Sequence, residues 1–569
     1  MTVARNSEPT AARAPDLSEF RRRYPLTVAN FGALGDREAW LRRIWAAGAR
    51  WQTRAEAAAA ARTEAVVRGA PSRALEVAGE FDVIYAGGAA GLLHAAVAAS
   101  AYGRRVLVFD PQTVGATGRD WHTSADELRE LERAGLFTKE EIDGAVVSRR
   151  EAGFVKFHDA GSRVKAPPLW LRGVLDVTVN ADRLLALAAE KIKTRGPAGC
   201  ALLSGLRFVR AYVEPHRVTV ETEDARGRKS LHAARLFVDA TGPDSPVARQ
   251  LNEGRAPTHV CPTVGATARG FARGDGTGAV DFKTGEILVS TEDASDHRQL
   301  IWEGFAGDAA RDEYTTYLFF YDAVDSPADK SLLALYERYF ERLPAYKRAG
   351  AHWRVVRPLF GYVPGAQPAG RKSRRRTADD RVLLVGGATQ TLALGGAGAH
   401  LRHLRRVTHL VELALAADLL DARALAEINP QGPRVAPAAT LAEFLRPAPR
   451  SAPASVNETL NAVMAALHEL DERVRRELFQ DRLSVQALKS LLSRTAQLYP
   501  RIFQRVREHL GARGTLWWLA AVAEAAFSER RARADGDGRA ERGTDEPPAA
   551  KFARHVARYR KEAGADESS

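Results

Sequence analysis

The residues whose types and spacing predict chemistry are glycines that follow short apolar runs. The first glycine turn lies between the runs at 81–85 and 105–109 and comprises Ala86, Gly87, Gly88 and Gly91. An alanine-rich stretch at 92–102 separates this turn from the second run, which ends in Asp110. In a strand–turn–helix–strand unit such glycines let the backbone approach a pyrophosphate, the helix N-terminus attracts the phosphates, and the acid accepts hydrogen bonds from a ribose. The pattern predicts a dinucleotide-binding unit in which Ala86 replaces the first glycine of G-x-G-x-x-G.

Two later stretches contain turns of the same kind. In the second, an apolar run ends in Asp239 and is followed by Ala240, Thr241 and Gly242. A strand that ends in D-A-T-G is typical of flavoprotein Rossmann domains, where the glycine brings the backbone close to the cofactor; a plain strand-to-turn connection is the alternative. The third turn follows the run at 381–385, and its glycines are Gly386, Gly387, Gly395, Gly396 and Gly398.

The three turns together predict the fold class. In flavoproteins the third glycine loop closes over the ribityl chain and the pyrophosphate, with backbone N–H groups facing the cofactor. In this order, the turns predict an α/β protein with an FAD-binding Rossmann-like domain of the glutathione-reductase or p-hydroxybenzoate-hydroxylase type. We also expect an antiparallel-sheet substrate domain and a helical C-terminal region.

Alternating, aromatic-rich segments between 279 and 321 predict that antiparallel sheet. Because successive side chains of a strand point to opposite faces, Ile301, Glu303 and Phe305 are expected on one face. A carboxylate between two large apolar side chains should be desolvated, which raises its pKa. Glu303 is therefore a candidate buried acid; a rim position or an ion-paired surface residue is the alternative.

Charged and aromatic side chains follow Asp110 in a loop that, in this fold, usually faces the cofactor and the substrate. They are Arg119, Asp120, Trp121 and His122. Arg119 is a candidate for cofactor binding, and the two ring side chains are candidates for substrate binding. The next residue but one, Ser124, has the capping-box spacing to Glu127, so we expect it to begin a helix rather than to act as a catalyst.

Composition limits the classes of function. A chain of 569 residues is long enough for more than one core. With only two cysteines, Cys200 and Cys261, it has no disulfide framework, which indicates a reducing compartment. The formal net charge of +13 comes without a zinc-ligand spacing or an RNA-binding signature, which argues against nucleic acid. No N-terminal signal and no run of about 18 apolar residues is present, so we expect a cytoplasmic protein.

Two segments predict peripheral contact with the inner face of a membrane. The apolar stretch 516–527 contains two tryptophans beside basic residues, which suits the membrane interface. Packing against other helices explains that stretch equally well. The basic loop 371–376 is a candidate contact for anionic lipid, with a solvated surface as the alternative.

Shifts in composition and periodicity predict five regions. Residues 1–80 are expected to form a helical extension packed on the next domain. The remaining regions are a discontinuous FAD-binding domain (81–150, 173–250 and 380–428), an antiparallel β substrate domain (251–379), a helical C-terminal region (429–527) and a disordered tail (528–569).

The chain resembles the CruA-type lycopene cyclases and their cyclase-like paralogues, FAD-dependent flavoproteins related to geranylgeranyl reductases. The likeness covers most of the chain, from Asp36 to Phe527. It rests on a D-V-x-Y-x-G-G-x-x-G opening at 82–91, an R-E-W-N-I-S-like segment at 119–124, W-E-x-F at 302–305, T-T-Y-x-F-x-Y at 315–321 and the glycine loop at 386–403. Two positions depart from the family pattern: Gly387 replaces an aspartate, and His122 replaces an asparagine.

The resemblance implies a cofactor, a substrate class and roles for the residues. The cofactor would be FAD, oxidised or reduced, with NAD(P)H only as an electron source, and the substrate an apolar carotenoid or isoprenoid. Glu303 would be the acid that protonates an end group, because such an acid must stay protonated in an apolar cavity. Aromatic faces would stabilise the resulting cation, and the candidate walls are Trp302, Phe305, Phe319 and Tyr321. No metal is expected.

Three functions remain open at this point. The first is non-redox cyclisation of acyclic carotenoid end groups by a lycopene cyclase-like enzyme. The second is an FAD- and NAD(P)H-dependent oxidoreductase, a reductase or hydroxylase of an isoprenoid or other apolar substrate, which would consume NAD(P)H in step with product. The third is a non-catalytic flavoprotein paralogue, motivated by Ala86 and Gly387.

Overall fold

The computed structural model describes most of the chain, and every structural statement below refers to those residues. They are 14–60, 64–71, 76–252, 257–274, 276, 278–365, 376–389, 398–428, 444–448, 451–480, 482–508, 510–516, 519–520, 523 and 546–565.

The helices are α1 Leu17–Arg23, α2 Pro25–Asn30, α3 Arg37–Ala60, α4 Ala90–Tyr102, α5 Ala125–Arg133, α6 Lys139–Ala145, α7 Ala181–Arg195, α8 Pro246–Leu251, α9 Leu332–Tyr346, α10 Gly398–Leu401, α11 Leu404–Ala416, α12 Ala422–Ala426, α13 Ser455–His468, α14 Glu472–Phe479, α15 Val485–Leu498 and α16 Pro548–Ala565. Short 3₁₀ turns lie at Phe31–Ala33, Ala309–Arg311 and Gly386–Thr389.

The strands are β1 Val66–Arg68, β2 Val77–Ala86, β3 Val106–Asp110, β4 Asp120–Thr123, β5 Val146–Arg149, β6 Ala152–Lys156, β7 Leu169–Leu171, β8 Val177–Asn180, β9 Ala201–Ser204, β10 Leu206–Val213, β11 Val218–Asp224, β12 Lys229–Asp239, β13 His259–Phe271, β14 Thr284–Val289, β15 Ile301–Ala306, β16 Glu313–Phe319, β17 Asp322–Ala323, β18 Ala349–Gly365, β19 Ala378–Asp379 and β20 Val382–Leu384.

Five parallel strands form the centre of the first sheet, in the order β9, β3, β2, β12 and β20. In β3, β20 and the carboxyl halves of β2 and β12, the apolar side chains are buried on both faces, as is usual when helices cover a parallel sheet. The register places Asp239 beside both Ala86 and Leu384. Because parallel strands end at one edge, the three glycine turns that follow β2, β12 and β20 all begin at that edge.

The second sheet is mostly antiparallel and has the order β17, β13, β16, β15, β14, β6 and β7, with β18 also paired to β13. Strand alternation gives β15 two different faces. We call the side of Ile301, Glu303 and Phe305 the Glu303 face, and the side of Trp302, Gly304 and Ala306 the Trp302 face. A small third sheet, β4–β8–β5, belongs to the loop region after Asp110.

The N-terminal helices differ from the expected arrangement in their packing partner. They cover the Trp302 face and helix α9 rather than the parallel-sheet domain that follows them in the chain. The Glu337 carboxylate on α9 accepts hydrogen bonds from the backbone N–H groups of Leu26 and Thr27 at 2.8 and 2.9 Å. The expected helical stretch 1–80 also contains strand β1 and the start of β2.

The C-terminal part of the chain contributes to two different cores. Helices α13, α14 and α15 pack with Ile301 and Phe319 in one apolar cluster and so cover part of the Glu303 face. The prediction of a disordered tail at 528–569 is wrong for α16, because Phe552, Val556 and Tyr559 of this helix are buried in the core of the parallel-sheet domain. These three residues have helical spacing, which the high charge of the segment concealed.

Candidate functional site

The first glycine turn is closely packed against the second. A Cβ atom on Gly87, whose φ is +114°, would overlap the Ala240 carbonyl oxygen. A Cβ atom on Gly91 would lie 3.2 Å from the Ala240 Cβ atom. Ala86 is fully buried, and its carbonyl oxygen accepts a hydrogen bond from the Ala240 N–H group at 2.8 Å. The glycines therefore serve the contact between the two turns as well as the approach of a ligand.

Helix α4 begins at this turn without a side-chain cap. Ala89 occupies the N-cap position and makes no side-chain hydrogen bond to the helix, whereas α5 begins with a complete capping box formed by Ser124 and Glu127. The uncapped N–H groups and the positive end of the α4 dipole favour an anionic ligand such as a pyrophosphate. The start of α4 therefore fits FAD.

Asp110 is placed to complete that fit. One carboxylate oxygen accepts the Gly88 N–H group at 2.7 Å, and the other accepts the Gln112 N–H group at 2.8 Å. A carboxylate has about four acceptor positions, so both oxygens retain capacity for ribose hydroxyl groups. The side chain is partly exposed, which leaves it accessible to a nucleotide.

Asp239 holds the second turn and does not face a ligand, which corrects its assignment as a cofactor-binding side chain. It is 1% exposed; one oxygen accepts the Thr241 N–H and hydroxyl groups at 2.9 and 2.6 Å, and the other accepts the Ser245 hydroxyl at 2.5 Å. Burial raises the pKa of this carboxyl group. Gly242 behaves differently, because its φ of +96° is left-handed and a Cβ atom there would meet open space.

The third turn lies directly against the second. A Cβ atom on Gly387 would be 3.1 Å from Pro243 Cδ and 3.2 Å from the Gly242 Cα atom, and Gly386 has a φ of +58°. Gly395 and Gly396 lie outside the described residues. The described parts of the three turns therefore meet at the carboxyl edge of the parallel sheet.

Gly398 marks a contact that the motif analysis missed. A Cβ atom there would overlap the Glu127 carboxylate, which lies 3.4 Å from Arg402 Nε in a buried ion pair. The same carboxylate accepts hydrogen bonds from the Thr123 hydroxyl at 2.7 Å and the Ser124 N–H group at 2.8 Å. Its capping-box spacing predicted a local role only, and the link to α10 is tertiary.

Glu303 lies on strand β15 opposite Tyr317 of β16. It is half-buried, with no ion pair to any described residue, and desolvation raises its pKa to about 8. Phe305 on the same face is 1% exposed, whereas Glu303 and Tyr317 keep part of their surface accessible. The raised pKa favours the protonated form of the carboxyl group at neutral pH, and part of the side chain stays accessible.

His122 connects the loop after Asp110 to this face. Its ring stacks on Phe305 with centroids 4.3 Å apart and meets Tyr317 edge-on at 5.9 Å. Its Nδ1 atom lies 3.1 Å from the Thr178 hydroxyl oxygen. Burial lowers the pKa of the imidazole well below its usual value, and the charges of Arg150 and Arg357 act in the same direction. His122 is therefore a neutral ring at physiological pH.

Arg150 is a second residue that sequence reasoning missed. It is 5% exposed, and its guanidinium carbon lies 5.1 Å from the centre of the Phe305 ring. The guanidinium donates to the Leu175 carbonyl oxygen and, at 2.7 Å, to the Thr178 hydroxyl. Burial lowers its pKa to about 10. Nothing in its local sequence distinguishes it from the many exposed arginines of the chain.

The remaining residues predicted to bind substrate lie in different parts of the structure. Trp302 lies on the other face of the sheet, stacked on Tyr346 with centroids 4.6 Å apart and 1% exposed, so its assignment as a cavity wall is wrong. Trp121 packs against the core of the parallel-sheet domain, away from His122. Phe319 and Tyr321 are in edge contact at 5.8 Å and belong to the cluster covered by the C-terminal helices.

Three further predictions concern the surface and its ligands. Arg119 is exposed and lowers the pKa of the Tyr317 hydroxyl, which burial raises more strongly. Among the described residues, no group of three or more His, Cys, Asp or Glu side chains could hold a metal ion. No helix within the described ranges is long and apolar enough to cross a membrane. In the proposed membrane segment, Leu516 is 68% and Leu519 is 52% exposed; Trp517 and Trp518 lie outside the described residues.

The comparisons with known proteins concern the fold. No protein-family model matches the chain, and no curated protein matches it at a significant level. Among solved structures, the halogenase PltM matches 85% of this chain and 96% of its own at 14% identity, with a TM-score of 0.51. The chain shares the fold of this halogenase. PltM in complex with phloroglucinol and FAD matches over the same shares at 15% identity, with a TM-score of 0.50.

A geranylgeranyl bacteriochlorophyll reductase-like protein from Thermoplasma acidophilum matches 75% of this chain and 99% of its own, at 14% identity and a TM-score of 0.49. The likeness to PltM, together with the strand order, confirms the predicted FAD-binding Rossmann-like fold with an antiparallel second sheet. None of the structures named here is a lycopene cyclase, so the comparisons support the flavoprotein part of the predicted resemblance and not its finer part.

Proposed function

We propose that this protein is an FAD-dependent oxidoreductase that acts on an apolar, isoprenoid-like substrate. The single observation that supports this most is the meeting of the three glycine turns at one edge of the parallel sheet. Gly87 packs on Ala240, and Gly387 packs on Gly242. The fold is shared with the halogenase PltM, which has been solved with FAD.

Different residues of this chain would bind different parts of the cofactor. The uncapped start of α4 would hold the pyrophosphate, Asp110 would hold the ribose, and the backbone around Gly242 and Gly387 would line the adjoining groove. When bound, the flavin supplies hydride or electron transfer, which no side chain of the protein can supply.

The substrate side supports an apolar ligand with limited polar recognition. Phe305 and the cluster containing Ile301 and Phe319 are buried. Glu303, whose raised pKa favours the protonated form at neutral pH, can donate a hydrogen bond or a proton to a substrate on this face, and the ring of His122 is neutral. Both side chains are then uncharged, which suits an apolar substrate, although the Arg150 guanidinium lies 5.1 Å from the centre of the Phe305 ring.

The first test measures cofactor and turnover together. We expect the purified protein to be yellow, with the absorption bands of a flavin, and to oxidise NAD(P)H in step with formation of a reduced or hydroxylated isoprenoid. Product formation without NAD(P)H consumption would contradict the redox proposal. A colourless protein that does not take up added FAD would instead support a non-catalytic paralogue, as Ala86 and Gly387 suggest.

The second test uses a matched pair of glycines at the two ends of α4. Gly87→Ala places a methyl group on the Ala240 carbonyl oxygen, whereas Gly103→Ala meets open space although its φ of +64° is also left-handed. Backbone strain is therefore common to both variants. We expect Gly87→Ala to lose bound FAD and Gly103→Ala to retain it. Equal flavin content in the two variants would remove the first turn from the FAD site.

A second candidate function is cyclisation of lycopene end groups, which the raised pKa of Glu303 favours because that chemistry needs a protonated acid in an apolar cavity. Expression in a lycopene-accumulating host would test it, with Glu303→Gln as the variant. Cyclic product in the wild type and none in Glu303→Gln would establish cyclisation. Unchanged lycopene in both would contradict cyclisation of lycopene.

We further propose that the enzyme contacts an anionic membrane surface as a peripheral protein. Leu516 and Leu519 are exposed beside the exposed Arg513. Sedimentation with phosphatidylglycerol vesicles, compared with phosphatidylcholine vesicles, would test this contact, and equal sedimentation would contradict it.

A further inference from the structure

The C-terminal helix α16 is held on the parallel-sheet domain by apolar side chains and by a pair of histidines. Phe552, Val556 and Tyr559 of α16 lie in the core of that domain. Beside them, the rings of His409 on α11 and His555 on α16 meet edge-on, with centroids 4.7 Å apart. His409 Nδ1 also lies 2.8 Å from the Tyr559 hydroxyl oxygen. The histidine pair is therefore part of the contact between the two helices.

The charged groups that surround the histidine pair are mostly positive. Helix α16 contributes Lys551, Arg554 and Arg558. On α11, the guanidinium carbon of Arg405 lies 5.8 Å from the centre of the Tyr559 ring. A proton on either imidazole would add one more positive charge to this interface, and like charges at short range repel.

The acids beside these groups each pair with an arginine. The pairs are Glu546 with Arg554 at 2.8 Å, Glu412 with Arg104 at 2.6 Å and Glu130 with Arg405 at 3.4 Å. Tyr102, at the end of α4, faces Tyr559, and its pKa is raised to about 12 mainly by burial, so its hydroxyl stays neutral. These carboxylates are thus already neutralised by arginines and do not offset a proton on the histidines.

Burial opposes protonation as well. Burial and the neighbouring positive charges lower the pKa of His409 to about 4, and they lower the pKa of His555 in the same direction. His555 Nδ1 is buried without a hydrogen-bond partner among the described residues, so a proton added there would find no acceptor. The docked position of α16 therefore favours the neutral form of both rings.

We propose that α16 is a pH-sensitive strap that stays docked on α11 at neutral pH and is released in acid, when His409 and His555 take up protons. On release both imidazoles return to water, where the ordinary pKa is 6.5. Docking is therefore strongest above pH 6.5 and weakens as the pH falls towards 4, by at most about tenfold per pH unit for each proton taken up. The strap depends on neither the cofactor nor the substrate.

Hydrogen exchange of the full-length protein, read by mass spectrometry at about pH 7.5 and about pH 5, tests the release. The variant carries His409→Gln and His555→Gln, which cannot take up these protons. At about pH 5 we expect α16 to exchange at least about tenfold faster in the wild type than in the variant. The ratio should be near one at about pH 7.5. The change in this ratio with pH is compared, so a constant weakening by the substitutions cancels.

The matched control is His216→Gln, because His216 is exposed on the turn between β10 and β11. This variant should behave like the wild type at both pH values. Helix α4 reports on the domain as a whole, and its exchange should not follow that of α16. Equal pH dependence of α16 in the wild type and in the double variant, or parallel loosening of α4 and α16, would overturn the strap.

The reciprocal effect supplies a second measurement. Phe552→Asp places a charge in the apolar contact and should undock α16 at neutral pH, which the same exchange experiment records. The pKa of His409, followed by NMR titration of its ring, should then rise from about 4 towards its ordinary 6.5. A His409 ring that titrates near 6.5 in the wild type, or one whose pKa is unchanged by Phe552→Asp, would contradict the proposal.

Discussion

The two faces of strand β15 differ in how far they are buried. Adjacent residues of the short W-E-x-F motif nevertheless lie on both of them. On the Trp302 face, Trp302 is 1% exposed and contacts Tyr339 and Tyr346 on α9. On the Glu303 face, Glu303 and Tyr317 keep part of their surface accessible, and the His122 ring contacts Tyr317 from the other domain. An aromatic residue next to a candidate acid is therefore not automatically part of its site, because alternation sends it to the opposite layer.

The largest effect on stability is expected on the buried Trp302 face. Trp302→Ala should lower the free energy of unfolding by about 3–5 kcal/mol, because it empties a fully buried position between the sheet and α9. Urea denaturation would measure the loss. Tyr321→Ala on the other face should cost less than half as much, since Tyr321 is only partly buried. Equal losses would mean that the two faces are enclosed alike.

The next largest effect is a pH dependence of the free energy of unfolding that we attribute to Glu303. The pKa of Glu303 is raised from its ordinary 4.5 to about 8, so the folded state keeps a proton that the unfolded state releases. The stability that this group contributes is therefore fully present below pH 4.5 and is lost as the pH rises towards 8, with a slope of about 1.4 kcal/mol per pH unit. Unfolding midpoints across this range should show the slope in the wild type.

Glu303→Gln provides the reference for that measurement. The amide cannot ionise, so the variant should lack the slope and be more stable than the wild type above pH 8. Parallel pH profiles in the two proteins would show that the Glu303 carboxyl group is solvated and not desolvated.

The smallest effect concerns the ion pair that joins the two domains beside the Glu303 face. Arg357 Nη2 lies 2.8 Å from Asp120 Oδ2, with side chains 31% and 15% exposed. Arg357→Met should lower stability by at most about 1 kcal/mol. It should also raise the pKa of His122, because the Arg357 charge lowers it. An NMR titration of the His122 ring would record the change.

A similar ion pair on the same sheet is the control. Arg269 and Glu313 are 30% and 15% exposed, and Arg269 is not among the charges that act on the pKa of His122. Arg269→Met should therefore leave the His122 titration unchanged. An equal change in both variants would indicate a general loss of positive charge and not a contact at the site.

Local sequence was sufficient for the dinucleotide-binding unit because its constraints are local. The runs at 81–85 and 105–109 became β2 and β3, and Ser124 and Glu127 formed the predicted capping box. The parity argument also placed Glu303 and Phe305 on one face of β15. The same alternation of side chains places Trp302 on the opposite face of the strand.

Other features depend on parts of the chain that are far apart. Arg150 is distinguished only by its burial beneath Phe305, and α16 only by docking three apolar residues on α11 and its neighbours. Asp239 follows the expected strand, yet its hydrogen bonds to Thr241 and Ser245 turn the carboxylate inward. Such roles arise from desolvation and hydrogen-bond partners, which sequence spacing does not contain.

The sequence by itself determined the fold class and the positions of the glycine turns, because a strand period, a helix cap and a glycine's backbone freedom are properties of neighbouring residues. Only the tertiary structure decided that Gly87 meets Ala240, that His122 lies on Phe305, and that Glu303 stays partly accessible while Trp302 is buried in the core. The physical reason is that the pKa of a group and its available hydrogen bonds depend on the atoms around it in space.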